Sequence, residues 1–78
     1  MPHLPDDDTW LLDYRRAIGD RIRVERLRQN RTQESVFLAA RVGRKTYQDI
    51  EAGNVDARTS TLLRIAYVLS MHPADLLR

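Results

Sequence analysis

The stretch Thr32-Gln33-Glu34-Ser35-Val36-Phe37-Leu38-Ala39-Ala40-Arg41-Val42-Gly43-Arg44-Lys45-Thr46-Tyr47-Gln48-Asp49-Ile50-Glu51-Ala52-Gly53 reads as two short helices joined by a tight turn. Thr32 suits an N-cap, where its hydroxyl accepts one of the N–H groups that a first helical turn leaves without a carbonyl. Glu34 puts negative charge into that turn, where the helix dipole favours it. Val36, Ala39 and Ala40 recur at helical spacing and make an apolar face. The first helix stops near Arg41, and Gly43 is tolerated as the N-cap of the second. In the second helix Tyr47, Ile50 and Glu51 share one face, and Arg44, Lys45, Gln48 and Asp49 share the other. Gly53 stands just past its end, a position that calls for a positive φ.

The chain around this pair has 78 residues, so one domain is the ceiling. With no Cys it can form neither a disulfide nor a thiolate zinc site. No apolar run approaches a membrane span, and the acidic N-terminus does not resemble a signal peptide, so a cytoplasmic protein is expected. The formal net charge is +2, unevenly placed. Asp6, Asp7, Asp8 and Asp13 precede every cation, and residues 14–78 hold thirteen Lys and Arg against seven acids. A basic body of this kind suits a polyanionic partner.

Catalytic groupings are not evident. The two His residues are His3, in the tail, and His72, in a short connector. The four early aspartates lack the ligand spacing and glycine of a calcium loop, and there is no glycine-rich phosphate loop. The expectation is a protein that is not an enzyme, with no metal, cofactor or small-molecule substrate.

Residues 1–8 read as a flexible acidic tail and 9–78 as a single all-α domain. Asp8 or Thr9 can cap a long first helix from about Trp10 to Gln29, ended by Asn30, which tolerates the left-handed conformation. Leu11, Tyr14, Ile18 and Ile22 form the stripe expected to pack on the motif. Gly19 is a weak point at which this helix is open to bending. Trp10, Ala17 and Val24, seven residues apart, form a second stripe that a single small core does not need. An exposed Trp there points to a partner helix, so these three are the expected dimer interface. After the polar loop 54–58, Thr59 or Asp56 can cap a helix with Leu62, Ile65, Ala66 and Leu69 on its apolar face. His72 reads as the cap of a last helix, with Pro73 at its first position and Leu76 and Leu77 closing the core.

A short helix with a cationic, amide-bearing outer face suits the major groove of DNA. Arg44 can pair with two guanine acceptors, Gln48 with adenine, and Lys45 and Thr46 are the other candidate base contacts. Asp49 would either accept from a cytosine amino group or pair with a neighbouring Arg.

The chain resembles the Cro/repressor-type, Xre-like or lambda-repressor-like, helix-turn-helix family. The resemblance rests on Thr32-Gln33-Glu34, Val42, Ile50-Glu51 and Gly53. It extends upstream to Ile18-Gly19, Arg21-Ile22-Arg23 and Arg26, and downstream through Leu62-Leu63-Arg64-Ile65-Ala66, Leu69 and Pro73-Ala74-Asp75-Leu76-Leu77. The departures are Phe37 where the family usually has Ala, Arg41 where it has Gly, Gly43 where it has Ser or Thr, and Arg31 where it has an apolar residue. The resemblance implies a five-helix fold, here with a first helix that extends upstream of the match at Ile18, and a phosphate contact from Gln33 at a helix N-terminus. It also implies that Tyr47 fills a core position with its hydroxyl at the edge, and that Arg26 and Glu51 form an internal ion pair. Asn54, Arg58, Arg41 and, more weakly, Arg31 are further candidates for phosphate contact. The expected function is a sequence-specific transcriptional regulator. The simplest form is a repressor that binds double-stranded DNA as a homodimer through the helix Arg44–Ala52. The alternative is a module of the same fold that binds a protein partner, as an antitoxin or adaptor does.

Overall fold

The computed structural model describes residues 2–78. They form α1 (Thr9–Arg28), α2 (Gln33–Ala40), α3 (Arg44–Ala52), α4 (Thr59–Val68) and a terminal 3₁₀ helix (Pro73–Leu76), with no strand among the described residues. The all-α class therefore holds, but the fifth element is a single 3₁₀ turn. Leu76 is buried there while Leu77 is exposed, so only one of the two leucines closes the core.

All four α helices end the same way. A residue in the left-handed region (Asn30, Arg41, Gly53 or Ser70) turns the chain, and the next N–H bonds back to a carbonyl five residues earlier. The motif helices begin as their residues dictate. Thr32 accepts from the Ser35 N–H at 3.0 Å, and Gly43 opens α3 in extended backbone. Two expected caps are replaced. At α1 the Asp7 carboxylate accepts from the Thr9 N–H and hydroxyl, and Asp8, at the cap position with φ −103° and ψ 17°, makes no side-chain cap bond. At α4 Arg58 occupies the cap position without a side-chain bond. His72 caps the last turn as expected, its Nδ1 accepting from the Ala74 N–H at 3.1 Å.

The core comprises Ile22, Val36, Phe37, Ala40, Val42, Tyr47, Ile50, Ile65, Ala66, Leu69 and Leu76. α1 packs chiefly on α3, and α2 on α4. The contact face of α1 differs from the expected stripe. Its Ile18 and Ile22 hold, packing into the core beside Gly19 and Arg26, but Tyr14 is 57% exposed and Leu11 half-buried, and Arg16 instead packs on the α3 cap Gly53. Gly19 is the reason. A Cβ there would lie 2.5 Å from the carbonyl oxygens of both Ile50 and Glu51, so the absence of a side chain lets the two helices touch backbone to backbone. Gly19 is thus the crossing point of α1 and α3, and α1 runs through it as one helix. In α2, Phe37 takes the buried position and Ala39 is exposed, because the α3 and α4 sides both draw on the Val36, Phe37 and Ala40 face.

We predict that Gly19→Ala destabilises the fold by about 1–3 kcal/mol in a thermal or urea melt, through overpacking against a carbonyl backbone. Helix propensity alone would make the same change stabilising by up to about 1 kcal/mol. A stabilised variant would show that the helices can separate at little cost.

Candidate nucleic-acid interface

The interior face of α3 is fastened by a buried carboxylate. Glu51 is 5% exposed and accepts from Arg26 Nε at 2.7 Å and Arg26 Nη2 at 3.1 Å, a bidentate pair joining α1 to α3. The Tyr47 hydroxyl also donates to Glu51, so this phenol lies inside the network and not at its edge. Gln33 Nε2 donates to Glu51 Oε1 at 3.1 Å and ties the start of α2 to the same group. Burial pushes the Glu51 carboxyl up, but the hydrogen bonds from Arg26, Tyr47 and Gln33 outweigh it and hold the group below its ordinary value. Burial and the same carboxylate push the Tyr47 phenol far up. Arg26 Nη1 bonds to the Arg31 carbonyl at 2.9 Å. Arg31, considered for DNA, is half-buried and bonds Ser35 and the Val68 carbonyl, tying α2 to the end of α4.

The outer face of α3 presents Arg44, Lys45, Thr46 and Gln48, all exposed as expected. Asp49 pairs with Lys45 at 3.2 Å, one helical turn away, and not with an arginine. Gln48 Nε2 lies 3.4 Å from Gln33 Oε1. A line of polar contacts therefore runs from Arg26 through Glu51 and Gln33 to Gln48 on the surface. Arg44 is held by two residues that the sequence did not mark as functional. Its Nη2 donates to Glu34 Oε2 at 3.0 Å, and its guanidinium carbon lies 5.1 Å from the centre of the Phe37 ring.

Beside α3 lies a polar concavity lined by Arg41, Thr46, Arg58 and Arg64, among others. Arg41 and Arg58 line it together, and Arg64 joins them with its Nε bonded to the Ala40 carbonyl at 3.0 Å. Nothing in the spacing of Arg64 marked it, since it sits on the polar side of α4 like any solvated residue. Asn54 is exposed immediately after Gly53. Of the stripe proposed for dimerisation, Trp10 is half-buried edge-on against Tyr14 at 6.2 Å, Ala17 is half-buried and Val24 is 60% exposed. The described residues hold no cluster of His, Cys, Asp and Glu able to bind a metal ion, and no helix long and apolar enough to cross a membrane.

Two short helices at a tight turn, the second anchored inside by Glu51 and polar outside, define a helix-turn-helix DNA-binding domain. A helix-turn-helix family model of the Xre/lambda-repressor-like type matches residues 22–76, and the chain belongs to that family. It is accordingly a DNA-binding helix-turn-helix regulator. Neither the search of curated proteins nor the search of solved structures found a match.

We predict that Glu51→Ala costs about 3–5 kcal/mol, because it strands a buried Arg26 charge. Losses in Arg26→Ala and in the double variant should be strongly non-additive. A carboxylate whose folded-state value is lowered stabilises above its unfolded value and loses that contribution as pH falls through the folded one. The stability advantage over Glu51→Gln should therefore be constant above about pH 4.5 and shrink below it. Denaturant titrations at several pH values check both points, and strictly additive losses would show that the pair is not coupled.

Proposed function

We propose that the chain is a sequence-specific transcriptional repressor that lays α3 in the major groove of double-stranded DNA. The supporting observation is the outer face of α3. Its exposed donors begin at the N-terminal turn, the end that enters a groove, while the opposite face is locked to α1 and α2 by Glu51. In this reading Lys45, Thr46, Gln48 and Arg44 touch base edges. Gln33, Asn54, Arg58 and Arg41 touch phosphates, and Arg64 joins them from the same concavity.

The proposed active form is a homodimer on a two-fold operator, paired through the outward stripe Trp10, Ala17 and Val24. No side chain from Thr9 to Ile18 is fully buried in the protomer, and Tyr14 adds apolar surface next to Trp10. A second reading, a module that binds a protein partner, draws on Leu63 and the 87% exposed Tyr67, one turn apart on α4. Selection of bound sequences from random DNA by the purified protein separates the two. A repressor enriches a two-fold motif, and a protein-binding module enriches none.

We predict that Gln48→Ala and Arg44→Ala each weaken specific binding by about 1–3 kcal/mol and relax preference at one base pair. If the double variant kept the selected motif and its affinity, the orientation of α3 would be wrong. For the dimer, Trp10→Ala or deletion of residues 1–13 should yield helical monomers in sedimentation and a steep fall in operator affinity. A truncated protein that still sediments as a dimer would place the interface in residues 14–78.

A further inference from the structure

Arg44 differs from the other cations of the reading face in how it is held. Lys45 pairs only with its own helix, through Asp49. Arg44 reaches across the turn to α2, where Glu34 takes one of its Nη2 hydrogens and the Phe37 ring lies 5.1 Å from its guanidinium carbon. Phe37 is itself a core residue. It is 5% exposed and packs at 6.0 Å between ring centres against Tyr47, which is wholly buried and bonded to Glu51. The aromatic platform under Arg44 is thus part of the core, and the carboxylate beside it belongs to the first turn of α2.

We propose that Phe37 and Glu34 are positioning residues that preorganise Arg44 for guanine recognition. This rests on the reading of α3 as the base-reading helix. A guanidinium has five N–H donors in a rigid plane, and bidentate recognition of guanine needs two of them. The contact to Glu34 uses one, so an edge with two donors stays free while the plane is held from two sides. A free arginine chain loses much rotamer freedom when it docks on a base, and a restrained one loses less. The ring attracts the cation without occupying any donor, since the cation faces its π surface. With α3 in the major groove, Glu34 also sets a negative charge against the DNA backbone in this proposal. Its retention there costs general electrostatic attraction and favours the register in which Arg44 is satisfied by a base. The prediction is a gain in discrimination more than in overall affinity.

The test is equilibrium binding by fluorescence anisotropy to the selected operator, to the operator changed at the base pair that Arg44→Ala desensitises, and to unrelated duplex DNA. Glu34→Gln and Phe37→Leu should each reduce discrimination at that base pair by about three- to tenfold, the scale of an exposed cation–π contact or ion pair. Phe37→Tyr, which keeps the ring, should retain discrimination. Binding to unrelated DNA should be unchanged in Phe37→Leu and slightly stronger in Glu34→Gln. Glu34 is exposed, so its variant tests the proposal even if Phe37→Leu fails to fold. Loss of discrimination in Glu34→Gln should also be non-additive with Arg44→Ala. The proposal is overturned if Glu34→Gln raises operator affinity with discrimination intact, which would make Glu34 a competitor of DNA. It is equally overturned if Arg44→Ala desensitises no base pair of a selective protein. A wild-type protein that prefers no sequence would instead overturn the base-reading function itself.

Discussion

A carboxylate cannot be buried without partners, and this fold is arranged to supply them to Glu51. Arg26 reaches it from α1, Tyr47 from one turn back on α3, and Gln33 from the first turn of α2. Three helices are thereby required to keep their mutual positions, since withdrawal of any one leaves a charged or polar group unsatisfied in the interior. The hydrophobic contacts around Ile22, Ile50 and Val36 provide adhesion but no comparable directionality. With Gly19 allowing backbone contact between α1 and α3, the network sits where the helices are closest. Because Gln33 also lies against Gln48, the interior geometry continues into the surface proposed to face DNA.

Much of this was legible in the residues. The Thr32 cap, the left-handed Asn30 and Gly53, and the buried face of Tyr47, Ile50 and Glu51 follow from local chemistry and from periodicity. The bounds of α3 follow from the two glycines that flank it. Other features were hidden because they depend on what lies across a contact. Gly19 scored as a helix defect on propensity alone, and only the carbonyls of Ile50 and Glu51 reveal its use. Tyr14 fitted an apolar stripe, but the true contact face turns toward Gly19 and Arg26, and a glycine and a buried charge on it are invisible to a hydrophobic pattern. Arg31 resembled a phosphate clamp, whereas its guanidinium joins α2 to the end of α4. Among the site residues, Glu34 and Phe37 went unmarked because an acid and a buried ring do not by themselves suggest DNA.

Arg41 combines the two kinds of information. It adopts φ 59°, a conformation that costs a non-glycine residue about 1–2 kcal/mol. A glycine would remove that cost, and with it a cation beside α3 and Arg58. Strain retained at the turn of the motif, next to the proposed phosphate contacts, fits the general association of backbone strain with binding sites.

The length of α1 gives that helix a mechanical character. Its twenty residues form one rod of about 30 Å, unbroken at Gly19 and packed along α3 from Arg16, against the cap Gly53, to Arg26, bonded to Glu51. Within that span the bare Cα of Gly19 leaves the backbone of α1 directly on the Ile50 and Glu51 carbonyls. With no side chain between the two backbones there, no compressible layer absorbs a relative tilt, and the pitch of α3 is set by the pitch of α1.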